Sequence, residues 1–316
     1  MTELVPEGFR ARVAANPPDE VDPGAWYAVT GAEWLRRLPG LFTDLMADWS
    51  LVPGGEVGWG AGAVAVPVTS PNGPAVLKVT WPHHEAVTEH LGLRHWDARG
   101  TVRLLRADPR RFALLLERLD ATTDLRSLPV DDACGVIGDL LAQLRSPALP
   151  QAPTLTAYAA RQLAKPAPFD VLPRRFVEQG RRLAAELVTD PDVDAWLLHT
   201  DLHYENVLGG TRQAWLAIDP KPTAGDRAFE VAPALWNRAD ELGTGSSVRW
   251  NLRRRLEIVC EHADIDEDRA KAWAIVREAD NALEAASAAT SGDPHDEAWA
   301  HDRVSLAVTI IKAMND

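Results

Sequence analysis

The segment Leu198 to Pro220, LHTDLHYENVLGGTRQAWLAIDP, constrains this chain more than any other. Two short apolar runs, Asn206-Val207-Leu208 and Ala214-Trp215-Leu216-Ala217-Ile218, flank Gly209-Gly210, the pattern of two strands folding back through a turn. Pairing them brings Asn206 and Asp219 out at one end, with Asp201 on the loop just before. A hard cation takes carboxylate and amide oxygens, and Mg²⁺ commonly uses one or two protein ligands beside phosphates and waters. Asn206 and Asp219 are such a pair. Phosphoryl transfer from a nucleotide needs such oxygen ligands and a group to orient a hydroxyl and accept its proton, and Asp201, Asn206 and Asp219 can supply these.

A chain of 316 residues, 46% hydrophobic and 25% charged, suits a soluble globular protein of two lobes or domains. No apolar stretch reaches membrane-spanning length, and residues 1–16 lack the apolar core of a signal peptide, so a cytoplasmic location is expected. Cys134 and Cys260 are too few for a disulfide framework or a thiolate zinc site and read as buried thiols. The net charge of -13 argues against a general nucleic-acid binder. It suits a cationic small molecule, although acidity also serves plain solubility.

Residues 1–50 read as an arm rich in Pro, Asp and Glu followed by a helix. Trp34, Leu35, Leu38, Leu41, Phe42, Leu45 and Met46 recur there at helical spacing, with an interruption expected near Pro39. From Leu51 the pattern changes. A glycine-rich bend holding Gly58 and Gly60 precedes a hairpin of Ala63 to Val68 and Ala75 to Val79 around Pro71-Asn72-Gly73. Lys78 lies inside an apolar strand and must send its ammonium to a partner or to solvent. A helix starting near Pro82 would present Glu85 and Glu89 on one face, and either acid could reach Lys78. Strands at 102–105 and 112–119, parted by Asp108-Pro109, bring residues 51–119 to five strands. The remainder, 120–316, is mostly helical, with helical spacing at 130–144, 176–188, 248–262, 267–289 and 297–314 and a short helix near Tyr158 to Leu163. Asp226 reads as the cap of a helix with acids in its first turn.

His199, Asp201 and Asn206 form an HxDxxxxN pattern, and Ile218-Asp219-Pro220 follows it. Together they resemble the catalytic loop and metal-binding strand of the aminoglycoside phosphotransferase and protein kinase-like superfamily. HTDLHYENVL with WLAIDPKPTAGDRAFEVAPALWN is similar to the streptomycin 6-phosphotransferase and hydroxyurea phosphotransferase group, where Gly-Asp-Pro stands in place of Gly225-Asp226-Arg227. The resemblance runs from about Leu51 to Asn237. It implies an α+β, two-lobe protein kinase-like fold, with a five-stranded antiparallel sheet and helices in the N-lobe and a mainly helical C-lobe. ATP and Mg²⁺ are the implied cofactors. Asp201 becomes the catalytic acid-base group, and Asn206 and Asp219 the metal ligands. Lys78 is placed on the nucleotide phosphates with Glu85, favoured over Glu89, as its partner, while Gly58 and Gly60 lie over the phosphates and the backbone from Glu117 to Leu119 reads adenine. The implied acceptor is an aminoglycoside, streptomycin first, and its phosphorylation would confer resistance. Asp201, Glu230, Asp240 and Glu241 are the leading acids for a cationic substrate, with Glu278, Asp280 and Glu284 behind them. His199 and Asp226 are expected to brace the loop, and Arg227 marks a departure in a segment near the acceptor. No nucleic-acid or membrane partner is implied.

Three rivals are set against this reading. One keeps the chemistry and changes the acceptor to hydroxyurea, a peptide antibiotic or a sugar metabolite. Another is a non-catalytic nucleotide-binding protein on the same fold, which the intact Lys78, Asp201, Asn206 and Asp219 oppose. The last is a metal-dependent hydrolase using His199, Asp201 and His203, which needs a third strong ligand and leaves Lys78 without a role.

Overall fold

The computed structural model describes residues 5–19, 21–22, 24–165, 173–288 and 294–315. The chain forms two compact units, Met1–Asp120 and Ala121–Asp316. The first opens with α1 (Glu7–Ala14) and α2 (Gly31–Asp48), followed by β1 (Val52–Pro53), β2 (Gly58–Trp59), β3 (Ala63–Ser70) and β4 (Gly73–Thr80). Then come α3 (Glu89–Trp96), β5 (Leu104–Asp108) and β6 (Ala113–Glu117). The antiparallel sheet runs β1-β3-β4-β6-β5, with β2 also paired to β3. It therefore carries six strands where five were expected, because the segment ahead of β3 supplies two short strands in place of one. These two are two-residue pieces, Val52 opposite Thr69 and Gly58 opposite Ala65, in a segment whose glycines hid them from periodicity.

Alternation in this sheet decides where the lysine points. Val64, Val66 and Val68 of β3 and Ala75, Leu77 and Val79 of β4 join one core with Phe9, Trp34, Leu38, Phe42 and Leu45. Lys78 lies between Leu77 and Val79 and so faces the other side of the sheet. The helix α2 continues through Pro39 instead of breaking there. Proline removes one helical hydrogen bond, but Trp34, Leu35, Leu38, Phe42, Leu45 and Met46 are buried on both sides of it, and their packing holds the helix together. Its start is capped by Thr30 Oγ1, which accepts from Glu33 N at 3.2 Å.

The second unit begins at β7 (Asp120–Asp124), whose first residue is the last of the first unit. Next are α4 (Val130–Gln143), α5 (Leu155–Ala164), α6 (Arg174–Leu187), β8 (Trp196–Leu198), β9 (Val207–Gly209), β10 (Trp215–Ala217) and β11 (Thr223–Gly225). The short α7 (Pro233–Trp236) leads to α8 (Ser246–Ala263), α9 (Glu267–Ala288) and α10 (Pro294–Met314). Every long helix read from spacing forms within a few residues of its expected bounds, and Ala289, the expected end of one, lies outside the described residues. A single apolar core, including Ile137, Leu141, Tyr204, Val207, Leu256, Trp273 and Ile310, joins the helices to two small sheets, β10-β9-β7 and β11-β8. Among the described residues, no helix is long and apolar enough to cross a membrane.

Candidate active site

The two apolar runs pair as expected. Val207 lies opposite Ala217 and Gly209 opposite Trp215, and one step beyond the ladder Ile218 N donates to Asn206 O at 2.9 Å. Asn206 and Asp219 thus leave the hairpin at one end. Asp219 adopts a left-handed φ of 57°, which turns the chain sharply after the strand. The side chain of Asn206 is oriented by the loop: Nδ2 donates to Asp201 O at 2.9 Å and lies 3.5 Å from Asp201 Oδ2. Oδ1 of the amide takes no part in that hydrogen bond. An amide oxygen and a carboxylate form a hard-donor pair, so these residues fit Mg²⁺ and would hold it with phosphate and water oxygens.

The loop that carries Asp201 is locked from below. His199 is fully buried, its Nε2 donates to Ile218 O at 3.0 Å, and its Nδ1 accepts from Asp201 N at 3.4 Å. Burial pushes the imidazole down to about 4, so near neutrality it is the uncharged tautomer these partners require. Both ring nitrogens are engaged, and the hydrolase rival loses its first ligand. Thr200 sits at a left-handed φ of 62°, unfavourable for a β-branched residue. It is held from three sides: Thr200 N donates to Glu230 Oε2 at 2.8 Å, Thr200 Oγ1 to Lys221 O at 2.9 Å, and Arg277 Nη2 to Thr200 O at 3.0 Å.

Glu230 is therefore not placed as a substrate acid. It is 4% exposed, and its carboxylate accepts from His199 N at 2.6 Å as well as from Thr200 N. Burial pushes the carboxyl up to about 7, against the two amides, which draw it down. Arg277, which sequence reasoning misses, lies within the α9 segment WAIVREAD, stacked on Phe229 and Trp236 with its guanidinium 4.2 and 4.8 Å from their ring centres. An arginine inside an apolar helical stripe is the signal that could have found it. Asp226 caps the 3-10 turn Arg227–Val231 through Ala228 N at 3.0 Å and accepts from Trp273 Nε1 at 2.7 Å and from Arg269 Nε. It steadies the turn that carries Glu230, a bracing role one step removed from the loop. Arg227 donates to Asp264 O at 3.1 Å and to Ala263 O. The departure from Gly-Asp-Pro thus serves the carbonyl end of α8, where cations are favoured.

The remaining acids divide by partner. Glu278 is fully buried and bidentate with Arg303 at 2.8 and 3.0 Å. Asp280 accepts from Tyr158 Oη, Gln162 Nε2 and Lys165 Nζ at 2.9, 2.6 and 2.7 Å. Both hold helices together, so their charge is matched within the protein. Glu284 pairs with Lys165 at 3.0 Å and Glu241 with Arg238 at 2.7 Å. Asp240 is exposed on the 3-10 turn Ala239–Leu242.

In the first unit, Lys78 Nζ lies 2.6 Å from Glu89 Oε1, a pair with side chains 9% and 6% exposed. This corrects the expectation of Glu85 as the partner. The expected single helix is instead split into a 3-10 turn, His84–Val87, and α3, so Glu85 and Glu89 do not share a helical face. Glu85, 40% exposed, has its carboxylate 3.9 Å from His83 Nε2. The turn is pinned by Asp19, which accepts from His84 N. Gly58 and Gly60 are exposed at and beside β2. A Cβ at Gly60 would meet nothing within 4 Å, and one at Gly58 would make only ordinary contact with Ala65. The fold does not demand these glycines, which fits a backbone approached by a ligand. At Glu117, where the segment expected to meet adenine begins, the amide donates to Arg103 O at 3.0 Å and the carboxylate accepts from Arg103 N at 2.7 Å. Glu117 closes β6, and the irregular linker starts beyond it, at Arg118 and Leu119.

The family model described as aminoglycoside/hydroxyurea antibiotic resistance kinase matches residues 48–291. A streptomycin 6-kinase of Streptomyces glaucescens is 39% identical over 263 residues, covering 80% of this chain and 84% of that protein. A hydroxyurea phosphotransferase of Kitasatospora aureofaciens is 38% identical over 265 residues, covering 80% of this chain and 74% of that protein. Among solved structures, an aminoglycoside phosphotransferase in ternary complex with ADP and hygromycin B superimposes with a TM-score of 0.55 at 18% identity, covering 86% of this chain and 97% of that one. A choline kinase from Streptococcus pneumoniae gives 0.54 at 13% identity, covering 88% and 99%. These likenesses establish the two-lobe kinase-like architecture, with a sheet-bearing first lobe and a helical second lobe. By fold and by sequence, this chain belongs to the aminoglycoside/hydroxyurea antibiotic resistance kinase family.

Proposed function

We propose that the protein transfers the γ-phosphoryl group of ATP to a hydroxyl of an aminoglycoside, streptomycin being the acceptor that its relatives support best. The observation that carries the reading is the Asp201 loop, whose main chain is held by Asn206 Nδ2, by buried His199 and by the Glu230 and Arg277 bonds to Thr200. Asp201 orients the acceptor hydroxyl and takes its proton late, since a loose transition state needs positioning more than base strength. Asn206 and Asp219 hold Mg²⁺, which when bound neutralises charge developing across the phosphates. Lys78, fixed by Glu89, contacts the phosphates. The backbone beside Gly58 and Gly60 closes over them, and the linker at Leu119 offers main-chain groups to adenine. His199, Glu230, Arg277 and Asp226 keep the loop in place and exchange no proton with substrate. Asp240 and Glu241 remain the exposed acids of the second unit suited to a cationic acceptor.

A phosphate on the antibiotic adds bulk and roughly 1.5 to 2 negative charges near neutral pH, which opposes binding to an RNA target and yields resistance. Hydroxyurea is a second acceptor worth testing, because the hydroxyurea phosphotransferase is 38% identical where the streptomycin 6-kinase is 39%. The test incubates purified protein with Mg²⁺-ATP and a panel of streptomycin, other aminoglycosides and hydroxyurea, and identifies product by mass spectrometry. A mono-phosphorylated streptomycin supports the assignment. Phosphorylation of hydroxyurea alone moves the substrate, and product with no member of the panel removes the acceptor class.

A further inference from the structure

The proposed transfer leaves one charged group beside Asp201 without a task. Lys221 extends an ammonium to 3.4 Å from Asp201 Oδ2, with its side chain 37% exposed. The root of that side chain is unusually well fixed. Lys221 N donates to His199 O at 2.9 Å, and Lys221 O accepts from Thr200 Oγ1 at 2.9 Å and from Thr223 Oγ1 at 3.1 Å. Buried Pro220 and Pro222 flank it, restricting the backbone on both sides. The residue therefore moves with the catalytic loop, and only its stem is adjustable.

The backbone of Asp201 does not depend on that ammonium for its place. Its backbone is tied to His199 Nδ1 and Asn206 Nδ2, and Asn206 Nδ2 also lies 3.5 Å from its carboxylate. His203 Nε2 stands 4.0 Å from the other carboxylate oxygen. A cation beside an acid whose main chain is already fixed is available to the reacting group that the acid faces. An acceptor hydroxyl held by Asp201 sits about 2.6–3.2 Å from the carboxylate, and the phosphorus it attacks lies about 3–3.5 Å further on. An ammonium 3.4 Å from Asp201 Oδ2 on a flexible four-carbon stem with three donors reaches that position by rotating its terminal bonds.

We propose that Lys221 contacts the transferred phosphoryl group and is a catalytic cation of this enzyme. The inference rests on the phosphotransferase reading above. In the step, the bond between the γ-phosphorus and the bridging oxygen breaks with its electron pair going to ADP. The acceptor oxygen bonds to phosphorus, and the hydroxyl proton passes to Asp201. Lys221 stays an ammonium throughout, turning from Asp201 to the equatorial phosphoryl oxygens, where charge is spread in the transition state. The pairing with Asp201 stores the cation beside the reacting atoms when no phosphoryl group is present.

The test compares wild type, Lys221→Met and Lys221→Arg as full chains. Calorimetry measures binding of Mg²⁺ with either ADP or a β,γ-imido ATP analogue, and turnover is measured with the acceptor identified by the panel. Lys221→Met is expected to weaken the analogue about tenfold and ADP less than about twofold, because only the analogue carries the terminal phosphate. Saturated turnover should fall about 10²- to 10³-fold, as for loss of one preorganised donor to a developing oxyanion, and Lys221→Arg should recover part of the analogue affinity. Equal effects on the two nucleotides, or none on either, overturn the proposal even if turnover falls, since a cation that merely steadied Asp201 would behave so. Asp201→Asn separates the two levels. Turnover lost in Asp201→Asn with unaltered analogue binding in Lys221→Met overturns only the role of Lys221, whereas turnover surviving Asp201→Asn overturns the underlying reading.

Discussion

Replacement of Glu230 by alanine isolates the support of the catalytic loop from its chemistry. The carboxylate accepts two backbone amides, His199 N at 2.6 Å and Thr200 N at 2.8 Å, at a site only 4% exposed. Each hydrogen bond to a charged group contributes about 1.5–3 kcal/mol, so the pair contributes about 3–6 kcal/mol. Relief of the buried charge offsets part of this, leaving an expected loss of about 2–4 kcal/mol. Urea unfolding at pH 8, where the carboxyl is ionised, should show the shift with an unchanged slope. Glu230→Gln should lose about half as much, because its amide oxygen serves one N–H and its amino group faces the other. Thr200, released from one of its three holds, has reason to leave its left-handed conformation. A displacement of about 1 Å at the loop costs on the order of a hundredfold in turnover. The pH dependence has a definite sign. Burial raises the folded carboxyl from 4.5 to about 7, so the part of its contribution linked to protonation is fully present below 4.5 and is lost as pH rises through about 7, and the loss read at pH 8 is that of the two amide bonds net of burial. Glu230→Gln should remove that part of the profile. An alanine variant within about 0.5 kcal/mol of wild type and with unchanged turnover would refute the bracing argument.

Four further outcomes follow from the same geometry. Glu89→Gln should destabilise the first unit by about 3–5 kcal/mol, the penalty for breaking a buried ion pair, and weaken nucleotide binding. Glu85→Gln, at a side chain 40% exposed, should stay within about 0.5 kcal/mol; chemical denaturation and nucleotide titration read both. Arg227→Ala removes two donors from the end of α8 and should lower stability by about 1–2 kcal/mol while leaving the Michaelis constant for the acceptor unchanged. His199, whose folded value falls from 6.5 to about 4 through burial, contributes stability that is present above 6.5 and lost as pH falls through about 4. His199→Gln should flatten the acid limb of a stability profile taken by thermal melting.

Local pattern carries much of this molecule. The Val207 to Ala217 hairpin needs only the residues that compose it, so spacing alone suffices to bring Asn206 and Asp219 out at one end. Helix positions follow from apolar spacing for the same reason. What escapes is long-range partnering. Glu230 and Arg277 brace Thr200 from 30 and 77 residues away, and nothing in their neighbourhood states that an acid or an arginine will end at a loop backbone. Glu89 displaces Glu85 because a 3-10 turn, pinned by Asp19 from 65 residues upstream, resets the helical phase. Glu278 and Asp280 look like surface acids until α10 and α5 supply Arg303, Tyr158 and Gln162. Lys221 stands in the sequence beside the metal strand, and only its 3.4 Å approach to Asp201 gives it meaning.

The most direct test of the central claim is streptomycin-dependent ADP formation by wild type and Asp201→Asn under saturating Mg²⁺-ATP. Asp201 is supported from the backbone side by His199 and Asn206, so the asparagine variant should fold, bind nucleotide as wild type does and lose acceptor-dependent turnover by about 10²- to 10⁴-fold, the range for a positioned acid-base group. Turnover retained in a folded Asp201→Asn protein would contradict the account.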